Sequence, residues 1–394
     1  NKKMSKDDFK ATILSDYRLA AEVRESGAQG RRDVLSGKGS FGIFGDGKEL
    51  AQIALAKVFR HGDFRAGYYR DQALMTALGQ YSPKHMFSAL YGDPELEREP
   101  SSGSRQMMNH FGTRFLNHDG SWKNLMEQKN SSADISPTAG QMPRLLGLAQ
   151  ASKIYRNNPA LAELEEFKKF TNGGNEVAFG TIGDASTSEG PFWETINAAG
   201  VLQVPMVISV WDDGYGISVS REHQTTKDSI SEALAGMQRT KDKPGYEIFI
   251  TKGWDYADLC LTYEKAVKLA REEHIPVLVH VKEVSQPQGH STSGSHERYK
   301  DEARMQWEID FDCIAKFEEW ILQFNTDGLT IATQVELETI HKDAKNSVRD
   351  QKNTAWKNFT DSVKEDLSNA ISLIKTNISA KMAKANYKRR TLKL

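Results

Sequence analysis

The chain has 394 residues, of which 38% are hydrophobic and 27% charged, which is typical of a globular protein with one large α/β domain plus an extension, or with two domains. Its formal net charge of −1 and the lack of a membrane-length apolar run give no reason to expect nucleic acid or a membrane as the main partner. The two cysteines, Cys260 and Cys313, lie far apart outside any motif, so we expect buried, reduced thiols rather than a disulfide framework or a zinc site.

The first third of the chain is predicted to be mainly helical. An amphipathic helix is expected over Asp7–Glu25, followed by a loop rich in Gly, Arg and Ser over Ser26–Gly42. Further helices are predicted over Gly47–Phe59 and Asp71–Leu78. Residues 92–135 are polar and irregular, and a loop of this length within a compact domain is usually functional or interfacial.

The middle of the chain predicts a strand–helix–strand crossover, preceded by a helix over Gly140–Tyr155. Two short, apolar, β-branched runs, Val177–Ile182 and Met206–Val210, are typical of buried parallel strands. The segment Pro191–Leu202 between them has helical spacing and begins with a proline. Because ligands of parallel sheets bind at the carboxyl ends of strands, the turns that follow both strands are the predicted site.

The last third predicts one more pair of strands and a helical extension. Strands are expected over Tyr246–Thr251 and Ile275–Val284, separated by a helix over Tyr256–Glu273. A polar loop over residues 285–300 follows, and then charged helical stretches over Gln306–Leu322 and Val335–Ala383. We therefore divide the chain into three parts: an N-terminal helical arm and loop (1–45), an α/β domain (46–305) and a C-terminal helical extension (306–394).

Carboxylates follow each of the two buried strands. Asp184 lies in the turn after the first strand and Asp213 in the turn after the second, so both side chains are expected at the same edge of the sheet. Two hard oxygen ligands beside a helix N-terminus suit a magnesium ion that carries a diphosphate. The alternative is ordinary turn chemistry, since Asp and Gly are favoured in turns for conformational reasons.

The motif formed by Gly183-Asp184-Ala185-Ser186-Thr187-Ser188-Glu189-Gly190 and Asp212-Asp213-Gly214-Tyr215-Gly216-Ile217-Ser218 resembles that of thiamine-diphosphate enzymes. More narrowly, it is similar to the alpha subunit of the 2-oxo acid dehydrogenases, which reads Gly-(Asp/Glu)-Gly-Ala-Xaa-Ser-Glu-Gly and then Asn-Asn-Gly-Tyr-Ala-Ile-Ser. Three further elements match in order: Tyr69-Arg70-Asp71, Ser136-Pro137-Thr138 with Gln141, and Gly289-His290-Ser291-Thr292-Ser293. Four ordered motifs over roughly residues 40–325 make a chance match improbable.

The resemblance implies an α/β thiamine-diphosphate-binding fold, mostly a parallel sheet with helices on both faces, plus helical N- and C-terminal extensions. The chain departs from the motif at Ala185, where the family has Gly, and at Asp213, where it has the metal-binding Asn. A carboxylate is a competent magnesium ligand, so we expect Asp213 to preserve coordination and Asp213→Asn to be tolerated. Ala185 requires only that this turn avoid a conformation open to glycine alone.

The resemblance also assigns roles to individual residues. Tyr69 and Arg70 resemble the pair that grips the diphosphate, whereas Arg70 alone could equally form an ordinary surface ion pair. Magnesium would be held by Asp184, Asp213 and the carbonyl oxygen of Tyr215. Ser136 and Thr138 would lie near the aminopyrimidine, the alternative for Ser136 being a helix N-cap. The remaining predicted cofactor contacts are Gly183, Ala185, Ser186, Ile217 and His290.

His290 is the predicted acid–base residue, because a histidine ordinarily titrates near neutrality and this one lies on a polar loop beyond a strand's carboxyl end. The neighbouring His296 is expected to be a solvated loop residue.

The function that the resemblance implies is oxidative decarboxylation of a 2-oxo acid, with transfer of the acyl group to a lipoyl-bearing acyltransferase. The Gly-His-Ser-Thr-Ser loop favours a branched-chain substrate over pyruvate. In the family the aminopyrimidine is activated by a beta subunit or a fused beta half, so we expect a dimer of alpha–beta pairs. The expected location is the cytoplasm, or the mitochondrial matrix in a eukaryote. Transketolase-like enzymes and a non-catalytic protein on the same fold are the alternatives.

Overall fold

A computed structural model describes residues 4–391 and has an α/β architecture. The described residues contain twelve α-helices: α1 (Lys6–Leu35), α2 (Glu49–Val58), α3 (Gln72–Ala77), α4 (Pro83–Tyr91), α5 (Met142–Asn157), α6 (Pro159–Glu163), α7 (Gly190–Leu202), α8 (Ile230–Ala233), α9 (Tyr256–Glu273), α10 (Glu302–Asp310), α11 (Cys313–Gln323) and α12 (Gln334–Thr391). Within the described residues, no helix combines the length and the apolar composition that a membrane span requires.

Six strands form one entirely parallel sheet: β1 (Phe64–Ala66), β2 (Asn130–Ser131), β3 (Ala178–Gly183), β4 (Met206–Trp211), β7 (Glu247–Lys252) and β8 (Val277–Lys282). Between β4 and β7 in the chain, β5 (Tyr215–Gly216) and β6 (Val219–Ser220) pair as a small antiparallel hairpin. A second hairpin pairs β9 (Asn325–Thr326) with β10 (Leu329–Thr330). The order across the large sheet is β2-β1-β3-β4-β8-β7, so β1, β3, β4 and β8 are consecutive neighbours. The predicted parallel α/β fold is confirmed.

The central strands are buried on both faces because their alternate side chains enter two different hydrophobic cores. In β4, Val207 and Trp211 pack into the core that α1, α2, α9, α11 and α12 cover. Met206, Ile208 and Val210 point the other way, into the core under α5 and α7. A continuous apolar run such as Met206–Val210 is what burial on both faces requires.

Helices from both ends of the chain share the larger of these two cores. Tyr17 of α1 and Phe317 of α11 lie in the same buried cluster, with their ring centroids 6.0 Å apart. Leu337 and Val348 of α12 are also fully buried there. The proposed domain boundaries, at 45/46 and 305/306, stay predictions, and residues 1–3 and 392–394 of the outer parts lie outside the described residues.

The N-terminal helix is longer than predicted, and the glycine-rich stretch predicted to be a loop from Ser26 is helical as far as Leu35. The glycines have a packing role. A Cβ on Gly27 would lie 2.2 Å from Asp46 Oδ1, and one on Gly30 would lie 2.7 Å from the ring of Phe44. Small residues therefore let α1 approach the segment that leads into α2, which the sequence pattern alone does not reveal.

The helix predicted over Gln306–Leu322 is in fact two helices, α10 and α11. Asp312 separates them and caps α11, since its side chain accepts hydrogen bonds from the backbone N–H groups of Ile314 and Ala315. Both cysteines are free thiols; Cys313 is buried, as predicted, but Cys260 is only half-buried.

Candidate active site

The register of the sheet brings the two carboxylate turns together. Gly183 at the end of β3 is paired with Trp211 at the end of β4, so the chain leaves both strands at the same level. The Asp184 N–H donates to the carbonyl of Trp211 at 3.3 Å, which continues this alignment past the strand. Asp184 and Asp213 therefore enter one cavity.

This cavity has a volume of about 330 Å³ and lies beyond the carboxyl ends of β1, β3, β4 and β8. Eleven of the twelve residues predicted to contact the cofactor line it: Tyr69, Arg70, Thr138, Gly183, Asp184, Ala185, Ser186, Asp213, Tyr215, Ile217 and His290. Tyr68, Glu189, Gly216, Gln224 and Gln286 complete the lining and were not predicted. Four motifs that span more than 200 residues of the chain, from Tyr69 to His290, thus line a single cavity.

A buried ion network holds the turn after β1, which carries Tyr69 and Arg70. Arg65 is fully buried and donates to Asp71 at 2.6 Å and to Asp134 at 3.0 Å. It also donates to the carbonyl of Tyr68 at 3.1 Å. Because removing one member would leave a buried charge unpaired, this network fixes the turn and hence the position of Arg70.

Arg70 is buried and binds the loop that carries His290. Its Nη2 donates to the His290 carbonyl at 2.7 Å and lies 3.0 Å from His290 Nδ1, and its Nη1 donates to the carbonyl of Phe44 at 2.5 Å. The alternative of an ordinary surface ion pair is therefore wrong. Since arginine can only donate, Nδ1 is an acceptor and the ring proton resides on Nε2.

His290 does not titrate near neutrality, which corrects the expectation from the sequence. Burial disfavours the charged ring, and the adjacent Arg70 guanidinium disfavours it further, so the pKa of His290 is lowered to about 4. At neutral pH the residue is a neutral imidazole whose Nε2–H is a hydrogen-bond donor. His296, further along the same loop, does not line the cavity, but it is half-buried and its Nδ1 is buried, so the prediction of a solvated residue is wrong.

Asp184 has an incompletely satisfied carboxylate. Its Oδ2 is buried and has no hydrogen-bond partner among the described residues. Burial raises the pKa of Asp184 well above its ordinary value, and the negative charges of Asp213 and Asp212 raise it further. A buried, unpartnered oxygen in a cavity that collects negative charge is suited to a bound cation.

The second carboxylate turn is fixed through its first residue, Asp212. This side chain accepts hydrogen bonds from Arg221 at 2.9 Å and lies 2.8 Å from Nε2 of the fully buried His280. Burial alone would raise the pKa of Asp212, but His280 and Arg221 outweigh it and the pKa is lowered. Arg304 of α10 donates to the backbone carbonyl of Asp213 at 2.8 Å. Asp212 therefore acts as an anchor for Asp213.

Asp213 is paired with a buried lysine that was not predicted. Lys48 Nζ lies 3.0 Å from Asp213 Oδ2 and 2.9 Å from Gln286 Oε1, and the lysine is 1% exposed. The other oxygen of Asp213 accepts from the N–H of Tyr215 at 3.2 Å. Nothing in the sequence around Lys48 separates it from the many surface lysines of the chain.

Ala185 adopts an ordinary helical turn, which begins at Ala185 and ends at Ser188, so glycine is not required at this position. Its methyl group instead constrains Gly216, where the family motif has alanine. A Cβ on Gly216 would lie 2.8 Å from the Cβ of Ala185, closer than real Cβ contacts. The chain thus has alanine and glycine in the reverse of the family's arrangement at these two turns, and the Gln224 side chain, 2.4 Å from the same Cβ position, also limits Gly216.

Ser136 is the one predicted cofactor contact that does not line the cavity. Its hydroxyl lies 3.0 Å from Nε2 of the buried His110, and it does not cap the following helix, because α5 begins at Met142. Thr138 is exposed at the cavity wall. The assignment of Ser136 to the cofactor stays a prediction.

The residues present fit a magnesium diphosphate, with part of the coordination left to the ligand. Asp184 and Asp213 supply carboxylates, and the carbonyl of Tyr215 lies in the same turn as Asp213. Among the described residues no group of three or more Asp, Glu, His or Cys side chains could enclose a metal alone. Magnesium commonly shares its octahedron with phosphate oxygens and water, so two carboxylates suffice.

Comparisons with known proteins identify the family of the chain. A model of the family described as "Dehydrogenase E1 component" matches residues 29–363, which is more than half of the chain. The 2-oxoisovalerate dehydrogenase subunit alpha of Bacillus subtilis is 28% identical over 245 residues, or 62% of this chain and 62% of that protein. The mitochondrial 2-oxoisovalerate dehydrogenase subunit alpha 1 of Arabidopsis thaliana is 24% identical over 286 residues, or 72% of this chain and 52% of that protein.

A third relative, the pyruvate dehydrogenase E1 component subunit alpha of Rickettsia prowazekii, is 22% identical over 320 residues, covering 80% of this chain and 82% of that protein. The chain thus spans 62% and 52% of the lengths of the two 2-oxoisovalerate dehydrogenase subunits it matches. The chain belongs to the dehydrogenase E1 component family, and its similarities favour the branched-chain type of alpha subunit.

Proposed function

We propose that this chain supplies the diphosphate- and magnesium-binding half of an enzyme that oxidatively decarboxylates a 2-oxo acid and transfers the acyl group to a lipoyl group. The observation that carries the proposal is the single cavity at the carboxyl ends of four adjacent strands, which residues from all four motifs line. Its carboxylate side suits magnesium, and its Arg70 side suits an anion.

Thiamine diphosphate, when bound, supplies the nucleophilic carbon and the electron sink that loss of carbon dioxide requires. In the proposed site Asp184, Asp213 and the carbonyl of Tyr215 hold magnesium. Arg70 orients His290 through Nδ1 and the backbone carbonyl. The Nε2–H of His290 is then available to donate a hydrogen bond or a proton to an oxygen of the reacting group.

We further propose that a beta subunit, or a fused beta half, completes the site and that the assembly is a dimer of alpha–beta pairs. Two considerations support this. The relatives are named as alpha subunits, and the described residues contain one parallel sheet, whereas a complete thiamine-diphosphate site in this family needs a second module for the aminopyrimidine. A lipoyl-bearing acyltransferase is the proposed acceptor, in the cytoplasm or the mitochondrial matrix.

A branched-chain 2-oxo acid is the proposed substrate, because two relatives carry 2-oxoisovalerate in their names. Pyruvate is the second candidate, since the pyruvate dehydrogenase relative matches a larger share of the chain, 80%. The test is an assay of the reconstituted complex with 2-oxoisovalerate, pyruvate and 2-oxoglutarate, in which we expect the highest kcat/KM for 2-oxoisovalerate. A preference for pyruvate would select the second candidate.

The same reconstitution tests the rival classes. A non-catalytic protein on this fold would turn over none of the three acids, which would contradict the proposal. A transketolase-like enzyme would transfer a two-carbon unit between sugar phosphates without releasing carbon dioxide, so a carbon dioxide assay separates it from the proposed enzyme.

A further inference from the structure

Lys48 immediately precedes α2, outside the four motifs, and it is buried beside the proposed metal site. Its ammonium group has two partners, Asp213 Oδ2 at 3.0 Å and Gln286 Oε1 at 2.9 Å. The side chain of Asp213 is 8% exposed, so the ion pair is largely withdrawn from solvent. Burying a lysine at this depth is unfavourable unless its charge is compensated.

The charge of Asp213 is the feature that requires compensation. The family motif has a neutral asparagine here, so this chain adds one negative charge next to Asp184. Without compensation, an additional carboxylate repels the diphosphate that the metal carries and so weakens binding of magnesium together with the diphosphate. Lys48 adds one positive charge at 3.0 Å, which offsets the negative charge of Asp213.

The pair also fixes the orientation of the carboxylate. Lys48 holds Oδ2 of Asp213, and the Tyr215 N–H holds Oδ1 at 3.2 Å. Each carboxylate oxygen can accept two hydrogen bonds or ligands, so one lone pair on each remains available for a ligand. A side chain held at both oxygens presents these lone pairs without having to reorganise.

We propose that Lys48 is a positioning residue of the metal site, and that the buried Lys48–Asp213 pair replaces the neutral asparagine of the family motif as a unit. The inference rests on the proposed function for its magnesium-binding part. It also changes one expectation from the sequence: Asp213→Asn is tolerated only if Lys48 is neutralised as well, because the single change leaves a buried ammonium without its carboxylate.

The test is a double-mutant cycle on the full chain with Lys48→Gln, Asp213→Asn and the two combined. One readout is urea unfolding of the cofactor-free chain, and the other is calorimetric titration of magnesium, with thiamine diphosphate present, into the complex with its second module. We expect each single change to lower the unfolding midpoint and to weaken magnesium binding by about 10- to 100-fold. The double variant, with an amide pair, should recover to within about threefold of the original affinity.

Lys57→Gln is the matched control, because Lys57 lies on the same helix and pairs with Asp16 away from the cavity. It should leave the magnesium affinity unchanged. If either single variant fails to fold, the test rests on the soluble yield and the magnesium affinity of the double variant. Recovery of both toward the values of the original chain supports the Lys48–Asp213 pair. A double variant that is no better than the worse single variant would overturn it, as would single variants that bind magnesium normally.

The two proposals fail in different measurements. An original chain that binds neither magnesium nor thiamine diphosphate in its complex would contradict the proposed function. Absence of coupling between Lys48 and Asp213 in urea unfolding, which involves no cofactor, would contradict the pair whatever the enzyme does.

Discussion

The two sides of the cavity differ in how far the hydrogen-bonding capacity of their charged groups is satisfied by the chain itself. On the carboxylate side, Asp184 keeps a buried oxygen without a partner, and its pKa is raised by burial and by Asp213 and Asp212. On the arginine side, Arg70 already donates to two backbone carbonyls and contacts His290 Nδ1, which uses three of its five N–H groups. The two sides therefore differ in what they have before a ligand binds. The carboxylate side has an oxygen without a partner, which suits a cation, while the arginine side already holds His290 in place.

The largest effect is expected at the carboxylate side. Asp184→Asn keeps the shape of the side chain but removes its charge, so magnesium-dependent thiamine diphosphate binding by the complex should weaken more than about a hundredfold. The cofactor-free chain should become more stable at neutral pH. A carboxyl group with a raised folded-state pKa contributes its full stability only below the unfolded pKa, and this contribution is lost as pH rises through the folded value.

Calorimetry and urea unfolding measure the two halves of this prediction separately. Weakened binding with higher stability is the expected combination. Unchanged cofactor binding would show that the unpartnered oxygen of Asp184 does not bind a cation. The proposed difference between the two sides of the cavity would then be wrong.

On the arginine side, His290→Ala should leave cofactor affinity largely intact and lower turnover by about a hundredfold, most severely in acylation of the lipoyl group. The reason is that a neutral Nε2–H acts on the reacting group and not on the diphosphate. His296→Ala, a matched change in the same loop at a residue that does not line the cavity, should keep normal turnover. Full activity of the His290 variant would reduce this residue to a structural part of the loop.

The reversed arrangement of Ala185 and Gly216 offers a smaller, steric test. Gly216→Ala alone places a methyl group 2.8 Å from the Cβ of Ala185 and should cost about 1–3 kcal/mol of folding free energy. Adding Ala185→Gly makes room and should restore most of the loss. Denaturant unfolding of the two variants measures this. A double variant as unstable as the single one would mean that other contacts of Gly216, such as Gln224, set the limit.

The smallest expected effect is a change in acid sensitivity. The folded-state pKa of His290, about 4, lies below its ordinary value of 6.5, so as pH falls through 6.5 the unfolded chain takes up a proton that the folded chain does not. Stability is therefore complete above about pH 6.5 and declines toward pH 4. His290→Gln should show a shallower decline in unfolding free energy between pH 7 and 4.5. An identical slope would contradict the lowered pKa.

The sequence predicted the frame of the site because that frame depends on local patterns. Two β-branched runs, each followed by Asp and Gly, are enough to predict adjacent parallel strands with a shared ligand edge, and β3 and β4 confirm this. The motifs at Tyr69 and His290 added the outer wall of the cavity through resemblance to a family, since nothing local shows that these segments meet.

What the sequence did not predict depends on contacts between distant segments. Lys48 is one lysine of many until the fold places it 3.0 Å from Asp213. Gly27 and Gly30 suggested a loop, whereas they are required by close packing of α1 on Phe44 and Asp46. His290 was expected to titrate near neutrality, because its burial and its contact with Arg70 are properties of the fold alone.

The central claim is that the cavity holds a magnesium diphosphate and is completed by a second module, and thermal melting tests it most directly. The isolated chain and its complex are melted with and without thiamine diphosphate and magnesium. Because a ligand stabilises a protein according to its affinity, we expect a clear rise in Tm for the complex and almost none for the isolated chain. A large rise for the isolated chain, or none for the complex, would contradict the account.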